Sequence, residues 1–301
     1  MTRPLHLSCG ELELDLAPHI GGSILSFRRA GLDLMRPTPD AALAMGLVRQ
    51  TSCYPLVPYS NRIAHGRFAV GGETYQLTLN FGDHPHSIHG NGWQRAWNVR
   101  DAGESQAVLE LDHRPFGFGP AGWDGWPYSF RATQSFTLSP DMLTVTLAIE
   151  NTDARPMPAG LGWHPFFPAR PGTKLRFGAG GVWINDATSL PVSLEPVPEK
   201  WDYSTARPLG EPALDNVFTQ WDGNAEISFV EENVGLALSA DPLFSHAVVY
   251  VPSGRGFFAF EPVSHMTDAV NRADIPGNGL QVLAPGERLS GTMRISVEPL
   301  P

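Results

Sequence analysis

An all-β fold, a large antiparallel β-sandwich with few and short helices, is what this sequence predicts. Three observations lead there. Glycine and proline, 31 and 28 of 301 residues, are spread throughout and cut the chain into short segments. Within those segments apolar residues recur at every second position, the period of a half-buried strand. Nowhere do strands alternate with long helical patterns, as a parallel α/β sheet would require.

Taken in order, "LHLSCGELEL" reads as two strands around a tight turn. "PDAALAMGLVR", from Pro39 to Arg49, is the best helix candidate, and it is short. "RFAVGGETYQLTL" sets Phe68 and Val70 before Gly71-Gly72 and Tyr75, Leu77 and Leu79 after it, a hairpin signature. "ATQSFTLSPDMLTVTLAIEN" repeats the pattern with its turn at Ser139-Pro140-Asp141. "HAVVYVPSGRGFFAFEP" makes another pair, and "LSGTMRISVEP" a closing strand. The turn-rich stretches 112–128 and 185–214 read as excursions over the sandwich surface, of a length that often carries function. No low-complexity linker divides the chain, so residues 1–301 read as a single domain, long enough for a substantial core.

Composition narrows the partners. The chain is 42% hydrophobic and 17% charged, with net charge −10 and only two lysines, Lys174 and Lys200. An acidic chain with no basic cluster argues against nucleic acid and anionic membranes. Cys9 and Cys53 have neither metal-ligand nor redox spacing, and so few thiols suit a reduced, cytoplasmic protein. The N-terminus alternates apolar and polar residues and lacks the apolar run of a signal peptide. No run of about 18 apolar residues predicts a transmembrane helix.

"GDHPHSIHGNGW" raises the question of a metal, because His84, His86 and His89 fall within six residues. His84 and His86 would share one face of a strand, as cupin-type metal sites require. Those sites add a glutamate a few residues later, and none follows here. Pro85 also disfavours a central strand. His84 and His86 therefore read as loop residues, exposed or hydrogen-bonded to backbone. His89 differs: Gly90 beside it lets backbone and ligand approach closely, and Trp93 offers a flat apolar face.

Other segments offer further chemistry. "YSNRIAHGRF" holds Asn61-Arg62, whose donors can bind hydroxyls, although a turn with an Arg ion pair explains it equally. In "LGWHPFFP", His164 sits among Trp163, Pro165, Phe166 and Phe167, where desolvation would lower its pKa; a core histidine satisfied by backbone is the plain alternative. Glu261 follows "GFFAF" and reads as a carboxylate at a sheet end, near where loops gather, or as an edge-strand charge. Asp215 in "ALDNVFTQWDG" reads by itself as a turn residue or helix cap. No G-x-S-x-G, P-loop, H-E-x-x-H or dinucleotide fingerprint occurs. Nucleophilic catalysis by serine or cysteine has no support, whereas a His-plus-Glu acid/base pair does.

In this order, "PYSNRIAHGRF", "HSIHGNGW", "GLGWHPFFP", "LDNVF" and "FEPVSHMTDAVN" resemble the aldose 1-epimerases (galactose mutarotases). The closing "LQVLAPGERLSGTMRISV" is similar to that family's last strands. The resemblance implies a galactose mutarotase-like sandwich with a sugar cleft on one face, and no metal or organic cofactor. It implies that Glu261 is the general base on the anomeric hydroxyl and His164 the general acid on the ring oxygen. His89 would be the second histidine near that oxygen, with Arg62, Asn61 and Asp215 holding sugar hydroxyls. His84 and His86 would be bystanders. The departures are Phe167-Pro168 and the loosely similar "HRPFGFGPAGWDGWPYSF", which would shape the pocket and so leave the sugar open.

The expectation is thus a cytoplasmic isomerase, a monomer or homodimer, that interconverts anomers of a free, unphosphorylated monosaccharide. Two alternatives remain. A sugar 6-phosphate 1-epimerase would need extra arginines converging on the phosphate, and the sequence assigns none. A non-catalytic sugar-binding protein would have no use for both Glu261 and His164.

Overall fold

A computed structural model of the chain describes residues 4–119 and 122–300, with Phe116–Gly119, Trp123 and Asp124 described as backbone alone. Two large antiparallel sheets dominate it. The first has nine strands, running in space from Asn98–Ala102 through Gln106–His113, Phe130–Ser139, Met142–Asn151, Arg288–Pro299, Val234–Ala240, Asn224–Phe229 and Lys174–Phe177 to Arg207–Pro208. The second has eight. Its main path runs from Pro191–Glu195 through Gly181–Asn185, Leu214–Thr219, His246–Val251, Phe257–Val263 and Gly162–Trp163 to Pro55–Leu56, with Phe166–Pro168 also paired to Phe257–Val263. A four-stranded sheet from the first 33 residues, beginning with Leu5–Cys9 and Leu12–Ala17, joins the same core through Leu12, Leu14, Leu16 and Phe27.

Alternation along the strands decides what each sheet face does. In Phe257–Val263, Phe258 and Phe260 enter the main core with Val145, Leu236 and Ile295 of the nine-stranded sheet. Burying each such ring is worth roughly 1.5–3 kcal/mol. Their neighbours Ala259 and Val263 point the other way, into a second cluster with Val217, Val248, Tyr54 and Phe166. Glu261 has the parity of Ala259 and Val263, so it lies on that second face. The cleft described below opens there.

The hairpins expected over residues 5–14, 132–151 and 246–262 form, with strands reaching Ala17, Phe130 and Val263, as does the closing strand Arg288–Pro299. Three expectations need correction. The Phe68 hairpin pairs Arg67–Val70 with Glu73–Gln76, ends before Leu77, and leaves Leu79 exposed. The helix expected over Pro39–Arg49 is Asp40–Met45, stopped by Gly46 at φ 64, and a separate 3₁₀ turn Val48–Gln50 follows. Gly46 adopts the left-handed conformation that ends a helix, and its N–H caps the carbonyls of Ala42 and Leu43.

The third correction concerns 185–214, which is not merely a surface excursion. It supplies an outer strand to each large sheet, Pro191–Glu195 and Arg207–Pro208. It also buries Trp201, Tyr203 and Leu209, and the Tyr203 hydroxyl donates to Leu209 O at 2.7 Å. In the stretch 112–128, Gln106–His113 continues to its end and a small hairpin, Phe116–Gly119 with Gly122–Asp124, follows. Pro120 and Ala121 lie outside the described residues. Among the described residues no helix is long and apolar enough to cross a membrane. Cys9 and Cys53 are free thiols.

Candidate active site

A cleft of about 240 Å³ opens on the second face of the eight-stranded sheet, and all six predicted site residues line it. Three come from the sheet or its immediate neighbourhood. Strand register sets Val217, Val248 and Glu261 in one cross-strand row, and Asp215, Tyr250 and Ala259 in the next. Glu261 is therefore within an interior strand, not at a sheet end as its sequence context suggested. Asp215 is likewise a strand residue of Leu214–Thr219, not a turn residue or cap. His164 lies between Gly162–Trp163 and Phe166–Pro168, and its N–H donates to Tyr54 O at 3.0 Å.

The other three come from two segments tied together by the short strand pair Arg62–Ile63 and Ser87–Ile88, with Asn61 and His89 at its ends. Asn61 and His89 are both left-handed, at φ 56 and φ 64. They exchange two bonds: His89 N–H donates to Asn61 O at 2.8 Å, and Asn61 N–H donates to His89 Nδ1 at 3.0 Å. With Nδ1 accepting, the neutral ring carries its proton on Nε2. Gly90 follows at φ 67 against the Val57 backbone, where any Cβ would collide. Arg62 then bridges the site. It donates to Asn61 Oδ1 at 2.9 Å and meets Asp215 Oδ2 at 3.2 Å.

At the foot of the cleft His164 Nε2 stands 3.2 Å from Glu261 Oε1, with the residues 8% and 2% exposed. Glu261 Oε2 and His164 Nδ1 are buried without partners in the protein. Aromatic rings wall the pair: Phe166 stacks on His164 at 4.4 Å, and Tyr54 lies 4.8 Å from it. Burial pushes the Glu261 carboxyl well above the usual carboxylate range, Asp215 adds to the rise, and Arg62 opposes it. Burial also pulls the His164 imidazole down to about 3, helped by the charge of Arg36. A 3.2 Å contact favours opposite charges, but desolvating both groups favours neutrality, and at this depth desolvation prevails. Both shifts run toward the neutral forms, a protonated carboxyl beside a neutral imidazole. His89 is held well below its ordinary value by burial first, then by His164 and Arg62.

His84 and His86 lie in a loop, as expected. His84 Nδ1 accepts from His86 N–H at 3.3 Å, and His86 Nδ1 accepts from His65 N–H at 3.0 Å. Among the described residues no three His, Cys, Asp or Glu side chains are grouped to hold a metal ion. His84 is more than a bystander in one respect, since Arg62 Nε contacts its Nε2 at 3.4 Å.

Trp93 corrects another expectation. Its indole N–H donates to Gly90 O at 3.1 Å, so it braces the His89 loop from behind rather than lining the cleft. The flat faces come instead from Tyr54, Phe81, Phe166 and Phe257. Arg36, Arg49 and Tyr250 also line the cleft without having been singled out in the sequence. Each is an unremarkable residue in its own segment, and only the fold brings it here.

The sequence pattern of the aldose 1-epimerase family matches residues 12–296. YphB of Escherichia coli K12, an uncharacterized protein, is 33% identical over 300 residues, covering 97% of this chain and 98% of its own. A crystal structure from the same organism, named a candidate aldose 1-epimerase, superposes with a TM-score of 0.89 at 32% identity, covering 99% of each chain. A galactose mutarotase-like protein from Clostridium acetobutylicum shares the fold, with a TM-score of 0.84 at 18% identity and coverage of 98% and 95%.

Proposed function

The chain belongs to the aldose 1-epimerase family, and from that membership we propose that it interconverts the α and β anomers of a monosaccharide by opening and reclosing the ring. The observation that carries this reading is the His164–Glu261 contact at 3.2 Å, buried in a cleft lined also by the hydrogen-bonding side chains of Asn61, Arg62, His89 and Asp215. At about 240 Å³ the cleft suits one small ring better than an oligosaccharide.

Opening a hemiacetal needs one proton taken from the C1 hydroxyl and one given to the ring oxygen. A buried pair that holds a single proton can do both. In the reactive arrangement the proton is on His164 and Glu261 is a carboxylate. Glu261 accepts the hydroxyl proton as the C1–O5 bond breaks, and His164 delivers its proton to the ring oxygen. The products are the open aldehyde, a neutral carboxyl and a neutral imidazole. That is the protonation state burial favours, so ring opening relieves the desolvated charges. The aldehyde turns about C1–C2 and the transfers reverse on its other face.

Bound sugar supplies what the reactive arrangement needs beforehand. A C1 hydroxyl donating to Glu261, with the Arg62 charge nearby, stabilises the carboxylate. His89, neutral with its proton on Nε2, can donate to a sugar oxygen. Arg62, Asn61 and Asp215 orient the remaining hydroxyls, a role worth most when the bound geometry is already near that of reaction. The test is anomeric exchange by NMR across glucose, galactose, xylose, arabinose, fucose and glucose 6-phosphate. Acceleration of at least one sugar, lost in correctly folded Glu261→Gln, is the expected result. No acceleration of any sugar would return the protein to the binding-protein reading.

A further inference from the structure

Two guanidinium groups in the cleft belong to none of the motifs the family resemblance rests on. Arg36 stands with its guanidinium carbon 3.7 Å over the Phe166 ring and 4.5 Å over Phe257. Its Nη2 donates to Thr51 O at 2.6 Å and Arg49 O at 3.2 Å, while its Nε is buried without a partner in the protein. Arg49 is exposed, with its guanidinium carbon 4.5 Å over Phe81. Among the described residues neither makes an ion pair with a carboxylate.

The acids of the cleft do not neutralise them. Asp215 is engaged by Arg62, and Glu261 is in contact with His164. Both arginines line the same cleft beside Tyr54, and the 3.2 Å bond from Arg36 Nη2 to Arg49 O ties their segments together there. Burial pulls the Arg36 guanidinium down to about 10, the sign of a cation desolvated without a counter-ion. In a chain of net charge −10, a cleft with two unneutralised guanidiniums is a local exception. Guanidinium groups match carboxylate and phosphate oxygens through paired donors. The spacing also fits. The Phe166 ring carries the Arg36 guanidinium at 3.7 Å and stacks on His164 at 4.4 Å, so one aromatic ring links the arginine to the acid/base pair. That is about the reach of a single sugar ring.

We propose that Arg36 and Arg49 form an anion subsite, and that the aldose taken by this cleft carries one acidic group, a carboxylate or a phosphate, remote from its anomeric carbon. The placement of the anomeric carbon rests on the mutarotase reading; the anion subsite itself does not. The chemistry shared by the two sources is a multi-oxygen anion on a monosaccharide.

Calorimetry with the parent protein separates the sources. Glucose, glucuronate and glucose 6-phosphate form one series, and the galactose equivalents a second. In at least one series an acidic sugar should bind about tenfold or more tightly than the neutral one. Whether carboxylate or phosphate binds better identifies the group. In Arg49→Gln the ratio of acidic to neutral affinity should fall about tenfold, and added salt should weaken acidic binding selectively. Arg36→Lys, which keeps the charge but loses the planar fork, should lower the same ratio. Because Arg49 is exposed, its substitution tests the proposal even if Arg36 variants fold poorly. Equal binding of acidic and neutral sugars, no binding of any acidic sugar, or an unchanged ratio in Arg49→Gln would overturn it. Anomeric exchange on the same sugars keeps the two readings apart. Acidic sugars bound but not exchanged would sink the mutarotase reading alone, and neutral sugars exchanged without acidic preference would sink the subsite alone.

Discussion

Glu261 and His164 each make sense only with the other. Glu261→Gln keeps size and most hydrogen bonding but cannot take the proton, and His164→Asn removes the titrating ring. Each should lower kcat by roughly 10²–10⁴, the usual worth of a positioned acid or base. The double variant should be far less impaired than the product of the single effects, because neither group works alone. Polarimetry on folded variants measures both, and near-parental turnover in Glu261→Gln would remove it as the base.

Stability should report the same burial. Because the folded Glu261 carboxyl is raised above its ordinary 4.5, the folded state holds a proton that the unfolded chain releases. That contribution is full below about pH 4.5 and is lost as pH rises through the folded value. His164, lowered from 6.5 to about 3, works oppositely: its contribution is present above 6.5 and lost as pH falls toward 3. Glu261→Gln mimics the protonated carboxyl, so it should gain melting temperature relative to the parent at pH 8 and less at pH 5. Equal melting-temperature differences at both pH values would mean that the carboxyl is not held protonated. The neighbouring histidines carry the opposite expectation. His84→Ala and His86→Ala should each leave the rate within about tenfold, a change of about 1.4 kcal/mol or less. EDTA dialysis should leave it unaltered, and loss of activity restored by zinc would reverse this.

At the scale of elements, the strand Phe257–Val263 serves two environments by alternation. Phe260 is in the main core, while Phe257 lines the cleft. Phe260→Ala should therefore cost about 3–5 kcal/mol in urea unfolding, the range for a large buried ring. Phe257→Ala should cost much less stability and act chiefly on KM. Comparable destabilisation by the two would contradict the assignment of faces.

This strand also shows what its sequence left undecided. The alternation in "GFFAFEP" marks a strand and places Glu261 opposite in phase to the two core phenylalanines. It does not say whether the strand is interior or at an edge, because that depends on neighbours contributed by His246–Val251, Gly162–Trp163 and Phe166–Pro168. The helix Asp40–Met45 is shorter than the Pro39–Arg49 its sequence predicts for a related reason. Gly46 is a local stop signal, but the 3₁₀ turn after it is tied to a residue outside the segment, Arg36, whose Nη2 donates to Arg49 O at 3.2 Å.

Across the whole molecule, the two large sheets share one core cluster, to which the four-stranded sheet contributes. The nine-stranded sheet takes strands from Asn98 through Asn151 and again from Lys174 through Pro299, so neither half of the chain completes it. We expect residues 1–301 to unfold as a single domain, with coincident fluorescence and circular-dichroism transitions. Two separated transitions would divide the chain.

By itself the sequence determined the fold class, because period-two alternation and dispersed turn residues are local properties that need no partner to be read. It also marked Glu261, His164, His89, Arg62, Asn61 and Asp215, because five motifs in a fixed order carry a resemblance that survives distance along the chain. Tertiary structure alone decided what those residues face. Whether Asp215 sits in a turn or on a strand, whether Trp93 walls the cleft or braces it, and whether Arg36 and Arg49 line the same cleft all depend on contacts between segments far apart in sequence. Such contacts leave no periodic trace, since a guanidinium from a loop has no neighbours along the chain that must change with it. The protonation of the His164–Glu261 pair belongs to the same class, because the burial that shifts it is made by one face of the eight-stranded sheet and the segments that fold over it.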